Sequence, residues 1–203
     1  MDSEVAYLNF FREFLERHGK EIKEDVLLKI AGADSRMTWR YMTILWGDTD
    51  TPDQIRQLFH QEYPENMIDY QKYLFPGIGE LLENLKMQGY ILALASSSKK
   101  RDIYRMLKEN GLQQYFSVIV SGEDFKESKP NPEIYYDTCA RLKLSPEECL
   151  IIEDSTYGIQ AGKAAGVKVI AIKDTRFGYD QSMADDWIAK TTDLSAYLNG
   201  KKV

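Results

Sequence analysis

Cysteine and histidine are scarce in this chain, two of each in 203 residues. So few cysteines exclude a disulfide framework, and so few histidines and cysteines argue against a clustered zinc or copper site. Cys139 falls in a helical stretch and Cys149 leads into an apolar run, so both are expected to be reduced core or near-core residues. His18 and His60 stand singly in helical segments without metal-site spacing. Positive charge is also in deficit, with 26 Lys and Arg against 32 Asp and Glu for a net charge of -6. That balance excludes a general nucleic-acid binder, although local basic patches are compatible with it. No apolar run is long enough to span a bilayer, and no charged-then-apolar amino end reads as a signal peptide. The expected location is the cytoplasm, with no membrane partner. Internal repeats and low-complexity segments are lacking too.

What is present suits an ordinary globular protein, 43% hydrophobic and 29% charged, enough for one compact domain and a smaller one. The amino-terminal part, to about Tyr73, has apolar residues at helical spacing. Leu8, Phe11, Phe14 and Leu15 form one set, followed by Val26, Leu27 and Ile30, then Trp39, Met42 and Leu45, then Ile55, Leu58 and Phe59. Gly19, Gly32, Gly47 and Thr51-Pro52 punctuate them. Leu74-Phe75-Pro76-Gly77 reads as a linker, and Ile78, Leu81, Leu82 and Leu85 mark a helix beyond it. The pattern then changes. Tyr90–Ala95, Ser117–Val120, Leu150–Ile152 and Lys168–Ile172 are short continuous apolar runs separated by helical stretches, which suits buried strands of a parallel sheet. The expected fold class is α/β, with a helical domain over residues 1–73 and a sheet domain over 74–203.

Ligands of such sheets sit beyond the carboxyl ends of the strands, and three polar groups fall there. Ser96-Ser97-Ser98-Lys99 closes the first run, Lys129-Pro130 lies in a loop, and Glu153-Asp154-Ser155 closes the third run. Each has a plainer reading. A Ser after a strand is commonly a turn or cap residue, and a Lys before Pro is ordinarily a solvated loop residue. Two adjacent acids at a strand mouth are harder to explain away. A hard divalent cation wants carboxylate oxygens there, and magnesium takes one or two of them together with phosphate and water. Ser155 then opens a helix through Ile159, Ala161, Ala164 and Ala165 that Gly166 ends, and its first amides favour nearby negative charge.

The order ALASSSKK, SKPNPEIY, LIIEDSTYGIQAGKAAGV resembles the haloacid dehalogenase superfamily, and within it the β-phosphoglucomutase-like branch. The resemblance implies a Rossmann-like parallel core with a helical cap, and a magnesium-dependent enzyme acting on a small phosphorylated metabolite. By the same resemblance Ser96 hydrogen-bonds a phosphoryl oxygen, Lys129 neutralises it, Glu153 and Asp154 hold magnesium, and Ser98 and Lys99 contact a second phosphate or the substrate. Arg36, in Ile30–Arg36, is expected to reach a substrate phosphate with its forked guanidinium, or else to be a solvated residue at the start of the next helix. Mutases of this branch carry a histidine where this chain has Tyr7, so a phosphatase of a sugar phosphate is the first reading, a sugar-phosphate mutase the second and a non-catalytic phosphate-binding protein the third.

The family opens with an apolar strand ending in two aspartates one residue apart, the nucleophile and the general acid/base. This sequence begins where that motif would already have passed, and Asp2 reads as a helix cap rather than a substitute. The chain is therefore expected to be catalytically incompetent by itself. A sheet lacking its central strand is expected to close up, with the run ending at Ala95 pairing directly with the one ending at Ile152 in a four-stranded core. Self-association is expected of that shortened core, whereas an intact relative is expected to be a monomer.

Overall fold

The computed structural model describes residues 1–33, 35–47, 50–64 and 68–200. Asp34, two residues before Arg36, lies outside the described residues. The chain divides into two compact units, Met1–Leu74 and Phe75–Val203.

The first unit is helical: α1 (Ser3–Arg17), α2 (Glu24–Leu27), α3 (Ser35–Trp46) and α4 (Pro52–Glu62). Helical spacing brings Phe11, Phe14, Trp39, Trp46 and Phe59 to one interior, where they meet edge-on and stacked. Phe59 stacks on Tyr63 with ring centres 5.0 Å apart. Such pairs add directional preference to burial, so they fix how the helices cross. Helix α4 starts where it does because Thr51 and Gln54 form a reciprocal capping box and Pro52 sits in its first turn. Asp2 occupies the cap position of α1, but its side chain makes no capping hydrogen bond.

In the second unit helices and strands alternate: α5 (Ile78–Met87), β1 (Leu92–Ser96), α6 (Lys100–Glu109), β2 (Phe116–Ser121), α7 (Glu133–Leu142), β3 (Leu150–Glu153), α8 (Thr156–Ala164) and β4 (Lys168–Ile172). A short strand β5 (Asp186–Ile188) and helix α9 (Leu194–Leu198) follow. All the strand pairings are parallel. Strand β5 has too few residues to show a period, which is why the apolar pattern does not mark it.

Direct pairing of β1 with β3 does not occur. Strand β1 pairs with β2 in one sheet, and β3, β4 and β5 form another. The helices explain why the edges stay apart. Helix α7 packs on β1 and β2, α8 packs on β3 and β4, and the two helices also touch each other. Because α7 and α8 already touch with β1 and β3 unpaired, bringing the two strands together by a strand spacing of about 4.8 Å would drive the helices into one another. Both sheets also share a core on each face. Val120, Ile134 and Ala161 cluster with Ala95 and Ile151, while Leu81, Leu85 and Ile170 cluster with Leu92 and Ile152. Gly162 brings α8 close: a Cβ there would lie 2.7 Å from Val169 Cγ2 and 3.0 Å from Ile151 Cδ1.

Candidate functional site

The polar groups of the second unit form two hydrogen-bonded sets, one at the carboxyl ends of β1 and β2 and one at the end of β3. At the end of β1 the Ser98 amide donates to Ser96 Oγ at 3.2 Å, so Ser96 does close a turn as a plain strand-end serine would. A hydroxyl accepting one bond still has a proton to donate, so this role does not compete with donation to a ligand. Ser98 and Lys99 follow as exposed residues before α6. At the end of β2 the buried Ser121 donates from Oγ to the Ser98 carbonyl at 2.7 Å and accepts from the Glu123 amide at 3.2 Å. The two strand ends are thereby tied.

The loop leaving β2 carries Lys129 to the end of β3. Its ammonium donates to Glu153 Oε1 and, at 2.9 Å, to the Tyr135 hydroxyl. The Tyr135 hydroxyl donates to the same Glu153 oxygen at 2.8 Å. The other carboxylate oxygen, Oε2, accepts from the Asp154 amide at 3.2 Å and from Ser155 Oγ at 3.3 Å. Ser155 also caps α8 by accepting from the Gly158 amide at 3.1 Å. Lys129 and Glu153 are only 10% and 12% exposed, so this is a nearly buried ion pair, with both Glu153 oxygens also bonded to neighbours.

The electrostatics separate the two acids. Burial pushes the Glu153 carboxyl up, but the Lys129 ammonium, the Tyr135 hydroxyl and the Asp154 amide outweigh it and hold the group below the usual carboxylate range. Asp154 is shifted the other way. Burial, then the adjacent Glu153 charge, with a smaller contribution from Asp174, lifts its carboxyl above the ordinary value. Burial and Glu153 together raise the Tyr135 phenol well above its normal range. Among the described residues no group of three or more His, Cys, Asp or Glu is placed to hold a metal ion. Asp154, joined by Glu153 if one of its four hydrogen bonds is exchanged, offers the one or two carboxylates that magnesium takes from protein when phosphate and water complete its shell. The raised Asp154 carboxyl is the group a cation would relieve.

Arg36 is exposed in the first turn of α3, in the other unit. Ser121, Tyr135 and Gln181 escape the sequence pattern. Tyr135 lies on the buried face of α7 beside Ile134, Thr138 and Cys139, and there reads as one more core residue. Its signal was a phenol on an apolar stripe, since a buried Tyr hydroxyl needs a partner. Gln181, from the loop after β4, donates to the Asp154 carbonyl at 2.6 Å and the Ile172 carbonyl at 2.7 Å, joining the ends of β3 and β4. Nothing in its local sequence marks it. The two cysteines meet with their sulfurs 3.6 Å apart, both as free thiols.

Ser, Lys and paired acids thus stand at the carboxyl ends of parallel strands, where α/β proteins bind their ligands. Residues 1–172 match the haloacid dehalogenase-like hydrolase family, and the chain belongs to it. It is 33% identical over 170 residues to the phosphorylated carbohydrates phosphatase of Thermotoga maritima, covering 84% of this chain and 78% of that protein. It is 35% identical over 167 residues to the bifunctional riboflavin kinase/FMN phosphatase of Arabidopsis thaliana, covering 81% of this chain and 43% of that one. The crystal structure of β-phosphoglucomutase from Clostridium difficile shares the fold, with a TM-score of 0.76 at 20% identity over 98% of this chain and 91% of that one. No helix among the described residues is long and apolar enough to cross a membrane.

Proposed function

We propose that this chain carries the phosphoryl-binding and metal-binding half of a magnesium-dependent phosphatase acting on a small phosphorylated metabolite, a sugar phosphate being the favoured class. The observation that carries the reading is the Lys129–Glu153–Asp154 group at the end of β3, the end at which the Ser96 turn of β1 is tied to β2 through Ser121. Lys129 would place positive charge against a phosphoryl oxygen and Ser96 would donate to another, the electrostatic positioning that dominates phosphoryl transfer. Glu153 and Asp154 would hold magnesium, which when bound adds positive charge at the transferring group. Ser98 and Lys99 would meet other charged or polar parts of the substrate. Names of the relatives support the substrate class: a phosphatase of phosphorylated carbohydrates and an FMN phosphatase both cleave phosphomonoesters.

The 203-residue chain is proposed to bind phosphate without hydrolysing phosphomonoesters, because the attacking carboxylate would arrive on a strand between the unpaired edges of β1 and β3. The test is an assay of a sugar-phosphate panel in magnesium. This chain should stay at background, and a version extended by an apolar strand ending in Asp-x-Asp should turn over with dependence on Ser96, Lys129 and Asp154. Hydrolysis by the 203-residue chain that Asp154→Asn abolishes would overturn the incompetence. Failure of the extended version on every phosphomonoester would overturn the enzyme reading.

A further inference from the structure

We infer that Tyr135 is a positioning residue of this site, a clamp that holds the Lys129 ammonium and the Glu153 carboxylate in fixed relation through its hydroxyl. The hydroxyl has one proton and spends it on Glu153 Oε1 at 2.8 Å. A lone pair of the same oxygen accepts from Lys129 Nζ at 2.9 Å, and Lys129 itself bonds Glu153 Oε1. The three groups close a triangle.

A triangle constrains what a pair does not. A lysine ammonium is a point charge on a flexible four-carbon stem, and a single contact to a carboxylate oxygen leaves it free to swing about that oxygen. A second acceptor on a different element removes the swing. Tyr135 is suited to be that acceptor because it stands in the first turn of α7 and is 5% exposed, so its own rotamer is fixed by packing. Packing alone does not explain the residue. A phenylalanine would fill the same space in the cluster with Val120, Ile134 and Cys139 without a polar atom to bury.

The inference rests on the proposed role of Lys129 as the cation for a phosphoryl group, and the experiment separates the two. Tyr135→Phe keeps the ring and removes the clamp. In the parent, 15N-labelled protein should show a sharp Lys129 ammonium resonance, identified by its loss in Lys129→Met, with a through-space cross-peak to the Tyr135 ring. In Tyr135→Phe that resonance should shift and broaden in a protein that still folds, and calorimetric affinity for inorganic phosphate with magnesium present should fall about fivefold. A parent without the cross-peak would overturn the clamp whether or not the variant folds. An unchanged ammonium resonance and phosphate affinity in a folded Tyr135→Phe would overturn it as well. A parent that shows the resonance change but binds no phosphate would support the clamp and overturn the phosphoryl role of Lys129.

Discussion

Gly158 sits against the Glu153 carboxylate so closely that a Cβ at position 158 would overlap it. The first turn of α8 thus forms one wall of the site, and only a residue without a side chain lets the carboxylate lie between that wall and Lys129. Gly158→Ala pits two effects against each other. Alanine favours a helix by up to about 1 kcal/mol, whereas displacing Glu153 breaks bonds to a nearly buried ammonium and phenol, worth about 1–3 kcal/mol. The expected outcome is net destabilisation in urea unfolding together with loss of phosphate affinity. A variant as stable as the parent would show that Glu153 moves aside at no cost.

Ser121 ties the ends of β1 and β2 through the Ser98 carbonyl. Ser121→Ala leaves that carbonyl and the Glu123 amide without this partner, at about 1 kcal/mol. Hydrogen exchange should quicken across Ser96–Lys100 and remain unchanged in β4.

The facing edges of β1 and β3 have their own signature. Hydrogen exchange in the parent should be slowest along β4, which is paired on both sides, and faster at those amides of Leu92–Ser96 and Leu150–Glu153 that point away from β2 and β4. Uniform protection across β1, β3 and β4 would mean the edges are paired in solution.

Asp185 offers a clean pH test outside the site. Its carboxylate bonds Lys163 at 2.5 Å and the Val169 amide at 2.7 Å, and these contacts hold its carboxyl below the ordinary 3.8. A group depressed on folding contributes stability above its unfolded value, and the contribution is lost as pH falls through the folded value. Asp185→Asn should therefore lower the thermal midpoint at pH 7, with the difference from the parent shrinking as pH drops below 3.8.

Cys149 tests the thiol pair. Burial, then the Cys139 thiol, pushes it up to about 11. The thiolate is the nucleophile, so Cys149 should alkylate slowly at pH 7, with a rate that climbs toward a midpoint near 11. The folded state holds this proton more tightly than the unfolded one, so stability should be level below pH 9 and decline from there toward 11. Rapid alkylation at neutral pH would contradict the burial.

Periodicity alone determined the helical first unit, the strands β1 to β4 and the α/β class, because burial on one helix face or on both strand faces leaves a pattern in the order of residues. Local chemistry likewise marked the Ser96 turn, the Ser155 cap and the adjacent acids Glu153 and Asp154. Tertiary structure decided what depends on distance across the chain. It split the sheet between β1 and β3, since the widths of α7 and α8 set a spacing that strand pattern does not encode. It brought Lys129 to Glu153, a pairing that arises only where the loop after β2 delivers the lysine. It also turned Tyr135 from a core aromatic into a partner of both. An apolar stripe tells which side of a helix is buried, and only the packed neighbours tell what waits at the buried tip.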